Sequence, residues 1–180
     1  EGLTSYPAAR CVRILNPLSA DLNVMRQTLL FNTMEAVQLN ANRRNGNLRL
    51  YEFGNCYFYD EAARDAEKPL SAYSEQYRLA IAVTGAAVPQ SWNAKPQASS
   101  FFTLRAVAEK LLRRFGLDIY ALKCEPLQSD LFGDGISLSA GNGRELLQMG
   151  VVAPRIRRAF DLKQEVYYLE MNFDALVKST

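Results

Sequence analysis

The chain has 180 residues, enough to bury a full core, and is expected to form a single domain. Its 48% hydrophobic and 22% charged content is that of an ordinary globular protein, and 21 basic against 19 acidic residues leave +2, too little to mark a nucleic-acid-binding surface. No apolar run reaches the roughly 18 residues a membrane span needs, no signal-peptide pattern opens the chain, and the lack of histidine excludes Ser-His-Asp and Cys-His nucleophiles.

Glu1 opens the chain without a methionine, as expected of a piece of a longer protein. Residues 11–15 read as a short β-type run stopped by Asn16-Pro17, where proline rejects a central ladder position. Leu30, Met34, Val37 and Ala41 recur at spacings of 4, 3 and 4, which predicts one apolar stripe on a helix over 29–44. Thr28 is its expected N-cap, Arg43 and Arg44 sit where the helix dipole favours cations, and Asn45-Gly46 is the stop. Residues 48–59 alternate as a strand, with Leu48, Leu50, Glu52, Gly54, Cys56 and Phe58 on one face.

A polar surface loop is expected over 60–75, then a nearly continuous apolar strand over 77–84 closed by Gly85. Residues 88–100 read as loop, and the lone Trp92 within it fits a core plug and an interface anchor equally. Leu104, Val107, Ala108, Leu111, Leu112 and Phe115 predict a helix over 102–115, ended by Gly116. Strands are expected at 121–126, 136–140 and 145–152, the last two joined by a Gly141-Asn142-Gly143 hairpin. Pro154 opens a short helix to about residue 160, and a strand over 166–172 precedes a terminal helical turn. Hairpin-joined strands with two interspersed helices predict an α+β fold, an antiparallel sheet flanked by helices.

Cys11, Cys56 and Cys124 lack the paired spacing zinc requires and read as buried, reduced core thiols of a cytosolic protein. Arg26 and Glu52 read as structural charges, Glu52 paired with Arg26 or Arg49. Gly133-x-Gly135 and Gly141-x-Gly143 read as hairpin turns, since neither opens a helix after a strand as a phosphate cradle would. Arg113, Arg114, Arg155, Arg157 and Arg158 read as solvated helix faces.

The order Asn16-Pro17-Leu18-Ser19, Val24-Met25-Arg26, then Leu50-Tyr51-Glu52-Phe53-Gly54 resembles the catalytic-like core of the bacterial phenylalanyl-tRNA synthetase beta subunit. Tyr77-Arg78-Leu79-Ala80, Thr84-Gly85 followed by Trp92, Phe101-Phe102-Thr103-Leu104-Arg105 and the closing 167–176 segment continue the resemblance in order. Asn16, Pro17, Arg26, Glu52, Gly54 and Trp92 are its structural or interface candidates. Two loops depart from the family pattern, at Phe132-Gly133-Asp134-Gly135-Ile136-Ser137 and at Val152-Ala153-Pro154.

The resemblance implies a class II aminoacyl-tRNA synthetase/biotin ligase-like fold. Members of that class activate an amino acid on ATP with one arginine on a central strand and another on a helix after a Gly-rich strand. Here the first position holds Phe58, and 171–177 holds no arginine. A non-catalytic module is therefore implied. It would scaffold a catalytic alpha subunit that handles phenylalanine, ATP and Mg2+ in a cytoplasmic tetramer of two alpha and two beta chains, and would meet tRNA only through that assembly. No catalytic, cofactor or metal residue is expected in this domain. The alternatives are an independent adenylating enzyme on the same fold, which needs a phosphate-binding arginine and a Gly-rich loop, and an RNA-binding module, which the near-neutral charge opposes.

Overall fold

A computed structural model of the chain describes residues 6, 8–18 and 23–179. Six strands form one antiparallel sheet: β1 (Leu48–Tyr59), β2 (Tyr73–Thr84), β5 (Lys123–Pro126), β6 (Phe132–Ser139), β7 (Glu145–Val152) and β8 (Val166–Asn172). Their spatial order is β1-β2-β8-β7-β6-β5, so the last long strand lies at the centre between the first hairpin and the second. Two short strands pair separately, β3 (Ala86–Val88) at the entry to the stretch read as loop and β4 (Gln97–Ala98) inside it.

Helices cover both faces because the central strands are apolar on both sides. On one face α1 (Leu30–Asn42) and the short α3 (Pro154–Ala159) bury Leu30, Met34, Val37 and Ile156 against Cys56, Ala80, Ala82, Val152 and Tyr168. On the other, α2 (Phe101–Arg114) and the terminal α4 (Phe173–Val177) bury Leu104, Ala108, Leu112 and Leu176 against Leu79, Val83, Leu147, Met149, Leu169 and Met171. This is the α+β arrangement the alternation predicts. No described helix is long and apolar enough to cross a membrane.

Helix ends follow local chemistry. Ser100 and Thr103 form a capping box at α2, with Ser100 N–H donating to Thr103 Oγ1 at 3.1 Å. Gly116 takes φ 76° so that Leu117 N–H can reach Leu112 O at 3.0 Å. At α1 the left-handed residue is Arg44 (φ 63°), not the expected Gly46, and Asn45 N–H returns to Asn40 O. Leu29 rather than Thr28 is the formal N-cap of α1, yet Thr28 Oγ1 accepts from Leu30 N–H at 3.1 Å.

Several expectations need correction. Residues 11–15 form no strand: Arg13 makes an isolated bridge to Val24, and Ile14 N–H donates to Asn23 O. Asn16 and Pro17 are exposed in a bend beside them, while Ser19 and residues 20–22 lie outside the described residues. β2 starts four residues earlier than the apolar run, at polar Tyr73–Gln76, because the long β1 partner continues to Tyr59. The Gly133-x-Gly135 stretch is not a turn but the start of β6, where Gly135 faces Gly150 of β7. The two backbones touch there: a Cβ on Gly150 would lie 2.7 Å from Gly135 Cα, and one on Gly135 2.8 Å from Met149 O. Of the cysteines only Cys56 is buried, Cys11 being half-buried and Cys124 exposed on edge strand β5. Arg157 is a clamp rather than a solvated cation, since its Nε donates to Val152 O and its Nη1 to Gln164 O.

Candidate functional site

Strand register assembles a polar patch within the α1 face. Pairing sets Glu52, Ala80, Glu170 and Gln148 in one row across β1, β2, β8 and β7, with Gly54, Arg78 and Asn172 in the next. Two arginine–glutamate pairs result, and they differ in burial.

The outer pair is Arg26 with Glu52. Arg26 Nη1 lies 2.6 Å from Glu52 Oε1, its Nε donates to Asn55 O at 3.0 Å, and its own carbonyl accepts from Tyr57 N–H at 2.9 Å. The fork thus ties the segment before α1 to the outer edge of β1. Its guanidinium crosses the strand over Gly54, where a Cβ would overlap Nη2. A glycine is needed there for close approach, not for an unusual φ. The side chains are 30% and 35% exposed, which makes the pair half-buried. Arg49, the other partner considered for Glu52, instead donates to Ala87 O at 2.6 Å.

The inner pair is Arg78 with Glu170. Glu170 is 9% exposed and its carboxylate is the hub of the patch. Its Oε2 accepts from Thr28 Oγ1 at 2.6 Å, from Tyr168 Oη at 2.6 Å and from Leu29 N–H at 3.2 Å, while Oε1 accepts from Arg78 Nη1. Arg78 donates its Nε and Nη2 to Gln76 Oε1, and its guanidinium lies 5.2 Å from the centre of the Phe58 ring. Burial works against the charge of Arg78, but the carboxylate of Glu170 outweighs it and holds the guanidinium above its ordinary pKa. Around this hub burial raises the other acids. Tyr168 is pushed well up by desolvation and then by Glu170, and Tyr6 and Cys56 reach about 12 by the same causes in the same order.

Arg78, Tyr168 and Glu170 line a cleft of about 300 Å³, together with Tyr6, Phe58, Phe132, Leu146 and Gln148. Sequence reasoning missed the inner pair. Its signals were a lone arginine in YRLAIAV and a lone glutamate in VYYLEM, both inside apolar strands, where a charge needs a partner. The two positions expected to lack arginine, Phe58 and 171–177, do lack it, but β2 brings Arg78 into the same cleft. Its chemistry is still not that of a phosphate clamp. The charged groups lining the cleft are Arg78, Glu145 and Glu170, one cation against two carboxylates. The position of the expected arginine is the Phe58 ring. With Arg78 engaged by Glu170 and Gln76, the lining offers no free cation to a triphosphate, so the residues present do not fit ATP.

Trp92 stands apart from this cluster. At 96% exposure it is no core plug. Asn16 and Pro17 are likewise not among the residues that line the cleft. Among the described residues no group of three or more cysteine, aspartate or glutamate side chains converges to hold a metal.

Comparison with known proteins places this geometry. The profile of the phenylalanyl tRNA synthetase beta chain CLM domain matches residues 2–173. The phenylalanine–tRNA ligase beta subunit of Bacteroides thetaiotaomicron is 44% identical over 179 residues, 99% of this chain, and that of Porphyromonas gingivalis is 37% identical over the whole chain. The chain spans 22% of the length of each. Among solved structures, the pyrrolysyl-tRNA synthetase of Desulfitobacterium hafniense superposes with a TM-score of 0.64 over 93% of this chain and 52% of its own, at 15% identity, a likeness of fold alone.

Proposed function

The chain belongs to the phenylalanyl tRNA synthetase beta chain family as its CLM domain, and from that premise we propose that it is a non-catalytic core module on which a catalytic alpha subunit is assembled. The assembled enzyme would attach phenylalanine to its tRNA, with ATP, Mg2+ and phenylalanine bound by the alpha subunit and tRNA met through the assembly. The observation that carries this reading is the state of Arg78. A catalytic arginine must offer its guanidinium to a developing negative charge. Here the guanidinium is taken up by Glu170 and Gln76 and faces Phe58. The cleft is thus built as an internally neutralised joint between β2, β8 and the entry to α1. It holds the fold and presents no cation to a substrate.

The test is to obstruct the cleft in the assembled enzyme. Gln148→Trp places an indole in the cleft beside Glu170, its cross-strand neighbour, while both members of the Arg78–Glu170 pair are retained. Association with the alpha subunit and aminoacylation should both persist. Loss of aminoacylation in an enzyme that still assembles would assign the cleft a part in the reaction and overturn the reading.

A further inference from the structure

The opposite face of the sheet carries an apolar groove that the chain leaves open. Tyr51 and Phe53 of β1, Leu79 and Ile81 of β2, and Val107 and Leu111 of α2 line about 350 Å³. α2 packs over the centre of the sheet and stops short of its β1 edge, so Tyr51 is 74%, Phe53 43% and Val107 37% exposed. A soluble surface seldom leaves aromatic side chains of this size side by side in water, and a partner is the usual reason. The groove floor is prepacked: Phe53 stacks with Tyr77 at 5.8 Å and meets Phe173 edge-on at 5.3 Å, which lowers the ordering cost of docking.

Charge says what fits. Helical spacing puts Lys110 and Arg114 on the same side of α2 as Val107 and Leu111, and both cations are exposed. Neither is paired with a carboxylate among the described residues. Arg49, which lines the groove from β1, adds a third positive group. The acids nearby are turned elsewhere: Glu109 pairs with Arg113, and Asp174 accepts from Tyr77 N–H at the far end. An apolar trough with a cationic rim suits an amphipathic helix whose apolar residues at i, i+3, i+4 and i+7 are flanked by aspartate or glutamate. We infer that this groove receives such a helix from the alpha subunit. The inference rests on the scaffold reading and names its contact surface.

The test uses the assembled enzyme with a photo-cross-linking residue in place of Val107 or Tyr51. The expected adduct maps to an acid-flanked amphipathic helix of the alpha subunit. An adduct to another part of the beta polypeptide or to a second copy of it, or no adduct in an assembled complex, overturns the inference and leaves the scaffold reading standing. If alpha and beta do not associate at all, both fail. Because Lys110 and Arg114 are exposed, the Lys110→Glu/Arg114→Glu variant keeps the core intact. It should weaken assembly about tenfold at low ionic strength, with the deficit shrinking as salt is added. Assembly unchanged by the double reversal would refute the charge argument.

Discussion

Replacing Glu170 with alanine removes an acceptor on which four donors converge. The consequence can be worked out donor by donor. The Arg78 and Glu170 side chains are 21% and 8% exposed, so most of the pair is out of water. Breaking a buried pair by deleting one partner costs about 3–5 kcal/mol. Arg78 borders the cleft and can recover some hydration, which favours the lower end of that range. Tyr168 is fully buried and cannot, so its stranded hydroxyl adds about 1–2 kcal/mol. The expected loss is about 4–5 kcal/mol, equivalent to roughly 10–15 °C in Tm for a chain of this size. Glu170→Gln keeps an oxygen for Thr28 and Tyr168 while removing the charge, and should cost about half as much. Equilibrium urea unfolding of both variants measures this. A loss below about 1 kcal/mol for Glu170→Ala, or equal losses for alanine and glutamine, would refute the hub.

Four other perturbations probe different parts of the structure. Gly54→Ala displaces the Arg26 guanidinium, so each of Gly54→Ala and Arg26→Ala should destabilise by about 1–2 kcal/mol, and the double variant by much less than their sum; additive losses in a double-mutant cycle would contradict the crossing of Arg26 over Gly54. Gly150→Ala drives a Cβ into the β6 backbone and should cost about 2–4 kcal/mol, whereas Gly141→Ala, with open space around it, should stay within about 0.5 kcal/mol; equal thermal shifts would reject the close β6–β7 approach. Cys56 and Tyr6, raised to about 12 from ordinary values of 9.0 and 10.0, keep their protons in the folded state at pH values where the unfolded chain loses them. Their contribution is therefore complete below pH 9 and should be lost as pH rises from 9 to 12. Cys124 should react with a thiol reagent at once and Cys56 only on unfolding; rapid labelling of Cys56 in the native chain would contradict its burial.

What was legible in the sequence follows from where each signal resides. β1, β7 and β8 could be bounded to the residue because their apolar residues are continuous or alternate, with Asn45-Gly46 before β1 and Gly143 and Pro154 around β7 as punctuation. The start of β2 could not, because Tyr73–Gln76 is polar and becomes strand only by pairing with the far end of β1. Gly133 and Gly135 carry the composition of a turn, and only the facing Gly150 reveals that the need is close approach. The Arg26–Glu52 pair was accessible as one of two options because both residues lie in one short segment rich in recognisable motifs. The Arg78–Glu170 pair, 92 residues apart, needed the sheet order that puts β8 beside β2. The exposed groove was hidden for the same reason. Periodicity reports that Val107 and Leu111 lie on an apolar side of a helix, but not that α2 stops short of β1.

Whether the cleft above Arg78 binds nucleotide decides between a catalytic and a structural domain. Isothermal titration of the chain with Mg2+–ATP, in the presence of phenylalanine, measures this directly, with pyrophosphate exchange followed in the same sample. A cleft with one neutralised arginine and two carboxylates should give no binding heat at micromolar nucleotide and no exchange above buffer. Micromolar affinity, or exchange that depends on phenylalanine, would contradict the claim that this domain carries the synthetase fold without its chemistry.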